Sequence, residues 1–146
     1  MKNMKRFSII ATLLCAFAIS SFASKQPIAF KFVPDAVQKA VLENYTKEQI
    51  QFITSEKKFR NYEYEFILND GTSIKYDKKA KFREVKNKNG IKEIHLPKNI
   101  LQYIRHTFPN TVVTEYEKES YRQKVELNDK MELVFDIRGR FMYIAN

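Results

Sequence analysis

Two stretches of this chain carry the same residue pattern, one starting at Pro34 and the other at Pro97. Val37 matches Ile100, Val41 matches Ile104, Tyr45 matches Phe108 and Ile50 matches Val113. A loop that differs by four residues then resets the spacing. Beyond it Tyr62 matches Tyr121, and Leu68-Asn69-Asp70 matches Leu127-Asn128-Asp129. Tyr76-Asp77 matches Phe135-Asp136, and Ala80-Lys81-Phe82 matches Gly139-Arg140-Phe141. Internal repetition restricts a chain to folds built from like units, and by itself it says little about activity.

Each copy opens with helical spacing. Over Asp35–Thr46 the apolar positions Val37, Ala40, Val41 and Tyr45 form one stripe, with Pro34 and Asp35 supplying N-terminal chemistry. Over Lys98–Thr107, Ile100, Leu101 and Ile104 repeat the stripe, Phe108 follows, and Pro109 ends the helix. Both copies then switch to period two. Tyr62, Tyr64, Phe66 and Leu68 alternate with Glu63, Glu65 and Ile67, and Tyr121, Gln123, Val125 and Leu127 alternate with Arg122, Lys124 and Glu126. Such alternation marks a strand half-buried against a helix. Asn69-Asp70-Gly71 and Asn128-Asp129-Lys130 read as tight hairpin turns, because Asn, Asp and Gly tolerate positive φ. Further strands are expected around Ile74 and Tyr76, Leu133 and Phe135, Phe82–Val85 and Phe141–Ile144, with one more at 49–57 and 111–119.

The fold class is therefore α+β: two tandem repeats, each one helix packed on about four antiparallel strands. The expected divisions are an extension at 24–33, a first unit at 34–88 and a second at 97–146, the two forming one structural unit. The polar stretch Asn87–Gly90 is the natural seam. Whether the sheets meet edge to edge is left open by the pattern.

Residues 1–23 read as a cleavable export leader. Lys2, Lys5 and Arg6 precede an uncharged apolar run from Phe7 to Ile19, and Ser21-Phe22-Ala23 suits a cleavage site before Ser24. The run is too short to span a bilayer, which takes about 20 residues. No transmembrane anchor is expected after cleavage, and the location is periplasmic or secreted. The leader removes three of the 26 basic residues and none of the 17 acidic ones, which leaves a net charge of +6. It also removes Cys15, the one cysteine, so stability must come from the core without disulfides.

Basic residues crowd between Lys75 and Lys92, but Asp77 and Glu84 interrupt the run and no nucleic-acid module surrounds it. Export further argues against a nucleic-acid partner. Chemistry-bearing patterns are scarce. His95 and His106 have no further ligand spacing around them and read as isolated surface residues, with His106 turned away from the stripe of its helix. Ser24, Ser55, Ser73 and Ser120 stand in no nucleophile elbow. Asp77 and Asp136 occupy equivalent turns, where a carboxylate usually caps backbone amides. No phosphate loop, zinc signature or dinucleotide fingerprint is present, so no catalytic residue, metal or cofactor is assigned and the chain is read as a non-enzyme.

The segments YEYEFILNDGTSIKYDKKAKF and YRQKVELNDKMELVFDIRGRF resemble the PepSY-like, β-lactamase-inhibitor-like proteins of the bacterial envelope. The resemblance covers nearly all of the chain beyond the leader. It implies a tandem α+β fold, a periplasmic or extracellular home, and a non-catalytic binding or inhibitory role. Related PepSY modules are associated with protease inhibition, and true β-lactamase inhibitor proteins bind their enzyme with the face of the sheet. This chain departs from them in lacking a cysteine beyond the leader and in carrying Phe82 and Phe141 where relatives often have Trp. The repeat motif marks structure, so no inhibitory contact residue is carried over.

What remains is a surface. If one sheet face packs on the helices, the other carries Glu63, Glu65 and Lys75 in the first unit and Arg122, Lys124, Glu126 and Glu132 in the second. Charged pairs there would give register and on-rate to a protein contact, with an envelope protein as the expected partner. Tyr116, Met142 and Tyr143 are the candidate apolar anchors. The alternative is a binder of a small or anionic envelope ligand, which needs an enclosed pocket with converging Lys or Arg.

Overall fold

The computed structural model describes residues 25–145; the expected leader at 1–23 lies outside them. Among the described residues nine strands join into one sheet whose order follows the chain from first to last, every neighbouring pair antiparallel. They are β1 (Gln26–Pro27), β2 (Ile50–Lys58), β3 (Asn61–Leu68), β4 (Ser73–Asp77), β5 (Phe82–Lys86), β6 (Val113–Lys118), β7 (Arg122–Leu127), β8 (Glu132–Asp136) and β9 (Phe141–Ala145). Helix α1 (Asp35–Leu42) falls between β1 and β2, and α2 (Lys98–Thr107) between β5 and β6.

The strands of the two sequence copies meet directly. β5 pairs with β6, Glu84 opposite Glu117, Val85 opposite Tyr116 and Lys86 opposite Glu115. The join satisfies backbone groups that two separate sheets would leave unpaired at their edges. The expected seam at Asn87–Gly90 is itself tied down. Asn87 is buried, its amide donates to Thr72 Oγ1 at 2.8 Å, and its backbone N–H donates to the Thr114 carbonyl. Val37 and Val41 of α1 and Ile100 and Ile104 of α2 share one core with Phe66, Ile74, Val85, Val125, Leu133 and Phe135. Both helices therefore cover the same sheet face, and among the described residues the other face is helix-free.

Helix α2 spans the residues its spacing predicts and stops at Thr107, because Phe108 precedes a proline and is pushed out of the helical region. Helix α1 is shorter than its stripe suggests. It stops at Leu42, and a turn closed by the Tyr45 N–H on the Val41 carbonyl still delivers Tyr45 to the core.

The Leu-Asn-Asp motif has the same anatomy in both copies. Leu68 and Leu127 are buried. Asn69 donates from its side chain to the Glu48 carbonyl, while Asn128 Oδ1 accepts from the Val112 N–H, so each Asn ties its hairpin to the chain entering the first strand. Asp70 and Asp129 each accept the N–H two residues on, from Thr72 at 2.9 Å and from Met131 at 3.1 Å. The left-handed position is neither Asn nor Asp but the third residue, Gly71 at φ 81° and Lys130 at φ 71°. The following turns repeat this equivalence with Ala80 at φ 60° and Gly139 at φ 76°.

The period-two reading fails at the strand starts. Tyr62, near the start of β3, and Tyr121, just before β7, are exposed although they share the core parity. Gln123 is buried, as its place in the alternation predicts, and its polar ends are satisfied by the Tyr116 hydroxyl, which donates at 2.5 Å, and by the Asp136 carbonyl.

Candidate functional site

Strand alternation places the seven candidate residues on the helix-free face, and the β5–β6 join brings the two groups into one surface. One row of directly opposed residues runs Glu65, Lys75, Glu84, Glu117, Lys124 and Val134. A second runs Ser73, Lys86, Glu115, Glu126 and Glu132. Glu63 and Arg122 lie near the starts of β3 and β7 on the same face. All seven are partly buried.

Ion pairs stitch these rows together. Glu65 accepts from Lys25 at 2.6 Å and from the Ser73 hydroxyl at 2.6 Å. Burial pushes its carboxyl up, and the Lys25 and Ser73 hydrogen bonds outweigh that, so Glu65 sits below the ordinary carboxylate range. Lys75 donates to both Glu84 oxygens, at 2.8 and 2.9 Å. Burial works against its charge, but Glu84 more than compensates and holds the ammonium pKa up. Lys124 stands among Glu119 at 3.3 Å, Glu117 at 3.8 Å and Glu132 at 3.8 Å. Arg122 pairs with Glu119 at 2.7 Å, Glu126 with Lys130 at 3.0 Å, and Glu63 lies 3.9 Å from Lys58. The odd member is Glu117. It opposes Glu84 across the β5–β6 join, and burial raises its carboxyl pKa, with Lys124 opposing and Glu119, Glu84 and Glu115 adding to the rise.

The basic run of the sequence is dispersed by folding. Lys75, Arg83 and Lys86 are spent on Glu84, Asp77 and Glu115, while Lys78, Lys79, Lys81 and Lys88 are exposed at turns and edges. The two turn aspartates cap amides. Asp77 Oδ1 accepts from the Lys79 and Lys81 N–H groups at 2.8 and 3.0 Å, and Asp136 Oδ1 accepts from Arg138 and Arg140 at 2.8 and 2.9 Å. Each sends its second oxygen to an arginine, Arg83 at 2.7 Å and Arg140 at 2.6 Å.

Of the expected anchors, Tyr116 is buried and unavailable, since its ring faces the helices. Met142 and Tyr143 are exposed on β9, the last strand of the sheet.

On the helix side a groove of 620 Å³ opens where the two copies meet, lined by Lys39, Asn44, Tyr76, Phe82, His95 and Lys118 among others. His95 corrects the surface reading made from sequence. Its ring lies between Tyr45 and Phe82, centroids 5.8 and 6.2 Å away, and Phe82 stacks in turn on Tyr116 at 5.5 Å. The Tyr45 hydroxyl and His95 Nε2 share a hydrogen bond of 2.6 Å. Burial, then the charge on Lys92, hold His95 below its ordinary pKa of 6.5. No local signal announces this stack, because its members are contributed by the end of the α1 turn, β5, the connector and β6. His106 is exposed, as its helical phase predicts. Among the described residues no group of three or more His, Cys, Asp or Glu is arranged to hold a metal. Among them, too, no helix is long and apolar enough to cross a membrane.

The sequence pattern of the PepSY-like family, described as beta-lactamase-inhibitor-like, matches residues 22–83 and again residues 62–143. The chain belongs to the PepSY-like family. Its two matches agree with the tandem repeat. Several solved structures share the fold of this PepSY-like chain. One, from Bacteroides thetaiotaomicron, is described as a "putative calcium-regulated periplasmic protein"; it is 24% identical, with 84% of this chain and 97% of that one covered at a TM-score of 0.75. Two from Bacteroides vulgatus are also described as periplasmic. The first is 21% identical, covering 84% of this chain and 98% of its own at a TM-score of 0.74. The second, of unknown function, is 17% identical, covering 84% and 100% at a TM-score of 0.75. At these identities the likeness establishes the fold alone. No curated protein matches the sequence.

Proposed function

We propose that this PepSY-like protein is an exported, non-catalytic module that binds another envelope protein through the helix-free face of its sheet. The observation that carries this reading is the continuity of that face: β5–β6 pairing makes one surface of the strands before α2 and the strands after it. Glu65, Lys75, Lys124, Glu126 and Glu132 stand in its charged rows, and Glu63 and Arg122 lie beside them. Paired charges that are partly buried are held in place, which favours a partner of one register over others. The opposed Glu84 and Glu117 at the centre favour a partner that brings a lysine or arginine there. The periplasmic description of the structural neighbours agrees with an envelope location.

The groove supports a second reading, a small anionic ligand held between Lys39 and Lys118. A pull-down separates the two. Tagged protein lacking the leader is exposed to a periplasmic extract at low and at moderate salt, beside the Lys75→Glu and Lys124→Glu variants. One protein retained at moderate salt and lost from both variants supports the sheet face. Retention of many acidic proteins at low salt only refutes it. Absence of any protein partner favours the groove, which Lys39→Glu and Lys118→Glu then test by thermal shift with anionic ligands.

A further inference from the structure

The two ends of the sheet are finished differently. At one end β1 covers β2 with only two residues, Gln26 opposite Ser55 and Pro27 opposite Thr54, and Ile28 adds an N–H to the Ile53 carbonyl. A short edge strand containing proline is a standard way of preventing further pairing. At the other end β9 is five residues, Phe-Met-Tyr-Ile-Ala, with no charge and no proline. Phe141, Met142, Tyr143 and Ile144 are 37%, 54%, 45% and 44% exposed. Among the described residues no strand covers this apolar edge, and without a charged gatekeeper it offers a row of backbone groups to another strand.

The repeat shows what such an edge takes. β9 is the second copy's counterpart of β5, since Phe82 matches Phe141. The corresponding edge of β5 is filled by an antiparallel strand, β6, and Val85 there is fully buried where its counterpart Ile144 is not. The counterpart of β6 in the first copy is β2, so simple continuation would seat the β2 of another molecule on β9. That route is closed, because β1 already occupies the outer edge of β2. Among the described residues, the uncharged edge that another copy presents uncovered is β9 itself.

We infer that two copies of this protein pair through β9, antiparallel and about a two-fold axis near Tyr143, to give one sheet that runs through both molecules. With the axis at Tyr143 the two Tyr143 residues oppose each other, and Met142 of each copy opposes Ile144 of the other. No like charges meet in the paired strands, and the isologous contact closes at two copies. The net positive charge of the copies opposes approach at long range, so pairing strengthens as salt screens it.

Sedimentation velocity on the processed protein tests this across low to high micromolar concentration. The expected result is a reversible monomer–dimer equilibrium, favoured by added salt. Tyr143→Lys and Tyr143→Glu each set like charges opposite one another and weaken self-association by about tenfold or more. An equimolar mixture of the two variants restores the dimer, because Lys then opposes Glu. Far-UV circular dichroism and the thermal midpoint of each variant alone show that it is folded, and the mixing arm is read on folded protein. A monomer at every concentration, association that grows past two copies, or variants that dimerise separately as well as the wild type would each overturn the inference.

Discussion

Removing the Asp77 carboxylate tests whether the repeated aspartate is a turn cap, as its geometry says, or a group kept for chemistry. Asp77 is 2% exposed. Its Oδ1 is the acceptor for the Lys79 and Lys81 N–H groups, and its Oδ2 meets Arg83. Asp77→Ala leaves two turn amides without that acceptor, and a buried donor left unpaired costs about 1–3 kcal/mol. The Arg83 side chain is 30% exposed, so water screens its loss and the ion pair adds about 1 kcal/mol at most. Water entering the opened turn recovers part of the amide term, and the sum comes to about 3 kcal/mol. Asp77→Asn keeps an acceptor at Oδ1 and is expected to cost about 1 kcal/mol. Urea unfolding at pH 7, with the slope unchanged between proteins, measures both. Asp136 makes the same hydrogen bonds but is more exposed, so Asp136→Ala is expected to cost less than Asp77→Ala.

The pH dependence sharpens the test. Burial pushes the Asp77 carboxyl up, but the Lys81 amide, the Arg83 guanidinium and the Lys79 amide outweigh it and hold the pKa below 3.8. A depressed carboxylate contributes stability above 3.8 that is lost as pH falls through the folded-state value. The deficit of Asp77→Ala is therefore expected to shrink in that acid range. A loss under about 1 kcal/mol for Asp77→Ala, an equal loss for Asp136→Ala, or a pH-independent deficit would refute the capping argument.

Other substitutions probe the core, the turns and the histidine stack. Phe66 is fully buried beside the Tyr76 ring, 6.2 Å between centroids, and Phe66→Ala is expected to cost about 3–5 kcal/mol in urea unfolding. Ala80 holds a left-handed φ of 60°, and Ala80→Gly is expected to raise stability by up to about 1 kcal/mol in the same assay. The reverse change at the equivalent turn, Gly139→Ala, brings a methyl against the Asn99 side chain that bonds the Arg138 carbonyl, and it lowers the thermal midpoint. His95 is held below 6.5, so the unfolded chain binds its proton first and stability falls as pH drops from 6.5 toward the folded value. His95→Phe is expected to flatten that part of the stability–pH curve, followed by chemical denaturation at several pH values.

Much of this fold is legible in the residues. The phase of Val37, Val41, Ile100 and Ile104 names the buried face of each helix, and their burial in one core agrees. The alternation in 62–68 and 121–127 separates a core face from a charged face, because period-two geometry sends successive side chains to opposite sides. The Leu-Asn-Asp turns and the capping aspartates follow from local hydrogen bonding, which involves neighbours in sequence and is therefore visible there. Placement of the seven candidate residues on the helix-free face needs only that same parity.

Tertiary structure decided the rest, because it depends on contacts between residues far apart in the chain. Parity cannot show where along a strand burial begins, so Tyr62 and Tyr121, which share the core parity, emerge exposed. Nothing local places Tyr116 under the sheet or brings His95 between Tyr45 and Phe82, since those rings arrive from separate elements. Above all, the pairing of β5 with β6 joins residues on either side of α2. Backbone groups that look alike in every strand form that join, so side-chain pattern does not encode it. That one pairing turns two patterned stretches into a single sheet, with one shared core, one charged face and β9 as the last strand among the described residues.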